Sequence, residues 1–189
     1  VMTISAMALF SMQGQATRAN ARARDMTMAS QIAQNLIERL KMDALVWNTI
    51  TQGDSKDTSN TEVLKLIDGW TPGEFKTLPE RTDPRSGLSV PLSNAFTQSG
   101  EDVLTSGAPS DVLATIRYCA SFRLGWVYDT HRAMRADVRV WWTKEAPSRS
   151  IIADFPGCAD DNIKLSPGGS LYENYHSVYL STVIRPHPL

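Results

Sequence analysis

The side chains able to do acid–base or nucleophilic chemistry are few and scattered. The three histidines, His131, His176 and His187, lie far apart, and none falls in the HExxH spacing that sets two imidazoles on one helix face. Their default place is a surface or a strand face. Cys119 and Cys158 form no CxxC pair and show no partner arrangement that would activate either as a nucleophile. Phosphate-cradling loops of the GxGxxG and GxxxxGK[ST] kinds are absent, as is the GxSxG elbow that presents a serine. The best oxygen-ligand set is the turn Gly157–Cys158–Ala159–Asp160–Asp161–Asn162, where Asp160, Asp161 and Asn162 could face a calcium ion. Its spacing is not that of an EF-hand, and Asp/Asn turns form for backbone reasons alone. No catalytic, cofactor-binding or metal-binding residue is therefore assigned. No small-molecule substrate is expected, and the sequence supports no enzyme.

Composition points away from other classes too. A chain of 189 residues can bury one real core, and 42% apolar with 21% charged residues is ordinary for a folded domain. A formal net charge of -1 gives no global field toward nucleic acid, so none is expected as a partner. The cysteine pair leaves two readings open. It is a disulfide if the domain lies outside the cytoplasm, or two buried thiols if it does not.

The elements that must carry these residues begin with a long helix. Val1 to Met12 (VMTISAMALFSM) is free of charge. It is too short for a bilayer span, which takes about 20 apolar residues, and it lacks the basic n-region and cleavage site of a signal peptide. It reads as the second half of a longer apolar helix. No proline interrupts Gln13 to Gln52, and alanine recurs throughout. Ala29, Ile32, Ala33, Leu36, Ile37 and Leu40 make an apolar stripe, with Gln31, Asn35, Glu38 and Arg39 largely opposite. Gly53 supplies a stop. A helix of about 50 residues would run about 75 Å, a length that calls for a coiled coil, a membrane span or both. Gly14, Ala16, Ala19, Ala21 and Ala23 suit close helix–helix approach. Arg18, Arg22 and Arg24 either snorkel toward a membrane interface or form a plain solvated face.

The remainder is a β-rich head. Asp54 to Pro109 is broken by prolines and reads as a long connection, with a short helix at Thr61 to Asp68 (Asn60 its N-cap; Val63, Leu66 and Ile67 inward) and a short strand around Leu88 to Leu92. Three strands follow, Leu113 to Trp126, Met134 to Thr143 and Asn174 to Arg185, the first two joined by a hairpin at 129–132. Ile116, Tyr118, Ala120, Phe122 and Leu124 alternate with Arg117, Cys119, Ser121 and Arg123, which predicts antiparallel strands with one covered face and one wet face. Trp141 and Trp142 must point to opposite faces. Trp141 then lies outward beside Arg139 and Arg135, either as a contact for a neighbouring subunit or beneath the 54–109 excursion. A half-apolar sheet needs a cover, and the helix stripe is the large one available. The predicted class is α+β: residues 1–52 form the helix, with 1–24 projecting and 25–52 packing on the head. Residues 53–189 form the antiparallel head, with a long loop over 53–112.

The run VMTISAMALF passing into QIAQNLIERLKMD (Gln31 to Asp43), the strand ADVRVWWTKE (Ala136 to Glu145) and the final strand HSVYLSTVIRP (His176 to Pro186) together resemble type IV pilin-like proteins, and within them minor pilins of the PilV type. The resemblance covers the helix and the last third of the chain and leaves Asp54 to Pro109 unmatched. It implies a pilin-like fold and a structural subunit held in the bacterial inner membrane with a periplasmic head. Such a subunit then assembles with other minor pilins and the major pilin into an extracellular type IV pilus, in a priming or tip complex. It implies that residues 1–24 belong to a membrane or filament core, and that the helix, through Ala16, Ala19, Ala23, Ile32, Leu36 and Leu40, is the subunit-packing element. It also implies a disulfide, Cys119 to Cys158, closing a loop near the C-terminal end. The family's prepilin peptidase site, with a Phe and a Glu just after it, would lie about 15 to 20 residues ahead of Val1, judged from the length of a bilayer span. Close variants are a minor pseudopilin of a type II secretion system and a recognition or adhesin head on a pilin stalk. A membrane-anchored sensor that signals through its helix is the alternative outside the family.

Overall fold

From Met2 to Ala44 the backbone is a single helix, α1, of 43 residues and about 65 Å. The structure is a computed structural model, and it describes residues 2–47, 58, 61–65, 73–77, 81–82, 89–90, 94–105, 107–127, 133–144, 151, 158 and 174–185. Every residue of α1 from 11 to 24 is exposed. Burial sets in at Asp25 and then follows the helical period: Ala29, Ile32, Ala33, Leu36, Ile37, Leu40 and Ala44. Ala29 and Ala33 are fully buried. With nothing beyond Cβ at either position, the helix axis can lie close to the sheet. Among the described residues, no helix is long and apolar enough to cross a membrane.

The helix ends earlier than the predicted Gln52. After Ala44 it tightens into a turn in which the N–H groups of Leu45, Val46 and Trp47 donate to the carbonyls of Met42, Asp43 and Ala44 at 3.1, 3.4 and 3.1 Å. The cause is local. Asp43 turns its carboxylate to the segment 61–65, accepting N–H bonds from Glu62 at 2.7 Å, Val63 at 2.9 Å and Leu64 at 3.0 Å. Trp47 folds in against Trp126, ring centroids 5.7 Å apart. The predicted stop at Gly53 lies outside the described residues. So do Asn60, Leu66, Ile67 and the hairpin loop 129–132. Val63 is buried, as expected.

The strands are β1 (Arg81–Thr82), β2 (Ser89–Val90), β3 (Ala95–Thr97), β4 (Asp102–Val103), β5 (Ile116–Trp126), β6 (Met134–Thr143) and β7 (Tyr175–Ile184). A short helix, α2 (Ser110–Ala114), leads into β5, so the predicted strand start at Leu113 moves to Ile116. β1 and β2 pair with each other. The other five make one antiparallel sheet in the order β4-β3-β5-β6-β7. Three strands were expected there, and β3 and β4 arise within the segment read as connection. They form a tight hairpin whose turn is tied by Thr97: its Oγ1 accepts from the N–H groups of Ser99 and Glu101. Gly100 closes that turn at a φ of +83°, with the Met28 sulfur 2.9 Å from where a Cβ would stand. Only glycine fits so near α1 in the left-handed region.

α1 lies across β6 and β7. One sheet face, carrying Tyr118, Ala120, Phe122, Leu124, Met134, Ala136, Val138, Val140 and Trp142, meets the helix stripe in the main core. The expected wet outer face is a correction for β5 and β6: Cys119, Ser121, Asp137, Arg139 and Trp141 are buried there, while a register shift at the start of β5 puts Ile116 with them and turns Arg117 toward Asp25 of α1. Part of the cover is Phe75, set against Arg123 and Arg139 where its neighbour Lys76 exchanges two 2.8 Å backbone bonds with Phe122 and extends the sheet beside β5. On β7 the outer residues Tyr179 and Val183 do face solvent, each 50% exposed. Leu36 is 2% exposed at the centre of the stripe, so Leu36→Ala should lower unfolding free energy by about 3 kcal/mol. Chemical denaturation of the two chains measures it. A loss under about 1 kcal/mol would mean that α1 is not the cover of this sheet.

Candidate functional site

The outer face is organised by one carboxylate. Asp137 stands on β6 between Arg135 and Arg123, its register partner on β5. Its Oδ1 accepts from Arg135 Nε at 2.8 Å and from the Ser181 hydroxyl, and its Oδ2 accepts from Arg123 Nε at 2.8 Å and Nη2 at 2.7 Å. Burial pushes the Asp137 carboxyl upward, but the bonds from Ser181, Arg135 and Arg123 together outweigh it and hold it below the usual carboxylate value. Two residues on, Arg139 is buried, donates from Nε to Ser121 Oγ at 3.2 Å, and lies over the Phe75 and Trp141 rings at 4.4 and 5.2 Å. Burial lowers its pKa, opposed by Tyr179.

Trp141 is fully buried, which removes the reading of it as an exposed subunit contact. It belongs to a second core with Ala95, Val103, Ile116, Ile151 and Tyr175, built around the Cys119–Cys158 disulfide. Part of its cover is Ala95 and Val103, from the 54–109 excursion.

At the end of the sheet where α1 leaves it, a cleft of about 510 Å³ opens. Arg18, Arg22, Arg24 and Asp25 of α1 form one wall; Arg117 of β5, Lys144 after β6 and His176 of β7 form the other, with Trp142 between them. Asp25 ties the walls together. Its Oδ1 accepts from the Tyr118 hydroxyl at 3.1 Å and its Oδ2 from Arg117 Nη2 at 3.4 Å. Arg117 also donates from Nη1 to Thr143 Oγ1 at 2.6 Å. Among the described residues, five basic side chains line the cleft with one carboxylate. Burial, then the charges of Lys144 and Arg22, hold the His176 imidazole below its ordinary pKa, so it is neutral at pH 7. Burial and the Asp25 charge push the Tyr118 hydroxyl well above its ordinary value.

Of the residues singled out in the sequence, His176 lines this cleft and stacks on Trp142, ring centroids 5.5 Å apart. His131, His187, Asp160, Asp161 and Asn162 lie outside the described residues. Among the described residues, no group of His, Cys, Asp and Glu could hold a metal ion. Ala16, Ala19 and Ala23 are exposed on the projecting half of α1, whereas Ile32, Leu36 and Leu40 sit in the chain's own core. The cleft itself was not anticipated. Its one sequence signal was the trio Arg18, Arg22 and Arg24, read as a snorkelling or solvated set. The chain matches no protein-family model, no curated protein and no solved structure among those compared.

Two outcomes follow for the outer face. Asp137→Asn breaks a buried charge network and should cost about 3 kcal/mol at pH 7. Because the folded pKa of Asp137 is depressed, its contribution is complete above the unfolded value of about 3.9 and fades as pH falls through the folded one. The stability gap between the two chains, followed by denaturation from pH 7 to pH 3, should therefore narrow only below about pH 4. Separately, Cys119→Ser with Cys158→Ser removes a link across 39 residues. Thermal and denaturant unfolding should report a loss of about 4 kcal/mol on the chain-entropy account.

Proposed function

We propose that this chain is a structural pilin-like subunit, a minor pilin that assembles with other pilins into a type IV pilus. One observation carries the reading: a single uninterrupted helix is wholly exposed from residue 11 to 24 and then buries its apolar stripe against the chain's own sheet. A helix stretch of that kind, rich in alanine and exposed among the described residues, gains its stability by packing on something outside the head. Ala16, Ala19 and Ala23 give a surface of small residues on which a second helix can approach closely.

Two further features support it. The disulfide suits a head held in an oxidising compartment such as the periplasm or the cell exterior. The uncharged run at the start of α1 suits storage in the inner membrane before assembly. In this reading the projecting half of α1 joins the helical core of the filament and the head faces outward. Ile32, Leu36 and Leu40 are then engaged in the head and contribute to assembly only by holding α1 in place.

The test is incorporation. In cells that make the full-length protein, surface filaments are sheared and the sheared fraction is probed for this chain. The chain should be present there, and Ala16→Asp with Ala19→Asp should reduce its share at least about tenfold, one buried charge costing more than 1.4 kcal/mol, while the level in whole cells stays the same. Absence of the chain from sheared filaments, or equal incorporation of the variant, would overturn the proposal.

A further inference from the structure

We infer that the cleft between α1 and the end of the sheet is a binding site for a phosphate-bearing anion, a site independent of any role in filament assembly. Three observations meet there. First, among the described residues lining the cleft, Arg18, Arg22, Arg24, Arg117 and Lys144 stand with one carboxylate, Asp25, in a chain whose overall charge is -1, so the surplus is local. A concave wall of one sign focuses its field on whatever enters.

Second, Arg18, Arg22 and Arg24 make no ion pair or hydrogen bond among the described residues, although each stands within the cleft. Structural arginines at a helix–sheet junction normally pair with carboxylates, as Arg39 does with Asp102 at 2.7 Å farther along α1. Third, Arg117 is 5% exposed and lines the cleft, yet its Nε has no hydrogen-bond partner. A buried donor left without a partner is uncommon and calls for an occupant. A guanidinium fork is the side chain best matched to phosphate oxygens.

The shape fits the same chemistry. Asp25 and Thr143 hold two of the Arg117 nitrogens, so its orientation is fixed before an anion arrives. The Trp142 and His176 rings give the cleft an aromatic side. The volume of about 510 Å³ lies within the usual range for ligand pockets, so a phosphate carrying a further group can be seated. That group is either the ester of a phospholipid headgroup or the remainder of a soluble phosphate.

Binding is read by titrating the 189-residue chain with inorganic phosphate, with glycerol phosphate, and with vesicles of phosphatidylglycerol in phosphatidylcholine or of phosphatidylcholine alone. The variants Arg22→Gln and Lys144→Gln alter exposed side chains on opposite walls and should leave the melting temperature unchanged. Each should weaken phosphate or anionic-vesicle binding about tenfold, the loss of one charge-assisted contact. Binding of the soluble phosphates that both variants weaken establishes a phosphate site filled from solution. Preference for anionic vesicles, weakened by both variants and competed by glycerol phosphate, establishes the same site filled by a headgroup. If none of the probes binds, the inference fails. It fails equally if Arg22→Gln weakens vesicle binding and Lys144→Gln does not, because the helix alone would then account for the attraction.

Discussion

The seating of one helical stripe on one sheet face is the constraint from which the rest follows. Ala29 and Ala33 bring α1 close, and Ile32, Leu36 and Leu40 fill the space above β6 and β7. Once that contact exists, the geometry of both helix ends is determined. At the C-terminal end Asp43 and Trp47 turn the chain back onto the segment 61–65 and onto Trp126. At the other end Asp25, bonded to Tyr118 and Arg117, marks where helix and sheet part. Residues 11 to 24, just before it, are exposed, and the divergence of the two elements makes the cationic cleft.

The outer face shows how a sheet can be buried on both sides without two apolar faces. Asp137, Arg123, Arg135, Arg139, Ser121 and Ser181 satisfy one another, and Phe75 lies flat under two guanidinium groups. Such a network rewards completeness, since each member left unpaired in a low-dielectric setting is costly. It also fixes register, because a shift of β5 against β6 by one residue would separate Arg123 from Asp137.

The parts of this architecture legible in the sequence are those written in long periods. The stripe from Ala29 to Leu40 and the alternation along β5, β6 and β7 each repeat over several turns or pairs, so the helix, the three long strands and the inner face were recoverable. β3 and β4 span only Ala95–Thr97 and Asp102–Val103, too short for any period to show, and their turn depends on a contact between Gly100 and Met28 that sequence spacing does not reveal. The outer face was misjudged because Ser121, Asp137 and Arg139 are polar by type and buried by pairing. The cleft was out of reach for a different reason. Its walls come from Arg18 to Asp25, Gln98, Arg117, Trp142 to Lys144 and His176, brought together only by the topology.

The disulfide constrains the order in which this molecule can be made. Cys119 and Cys158 have no exposed surface in the folded chain, so no oxidant can reach their thiols once the outer face has closed. Thiol–disulfide exchange requires in-line access of one sulfur to another. Oxidation must therefore come before or during closure, while the chain is still open. A chain that collapses while reduced would bury two thiols side by side with no route to the bond except unfolding.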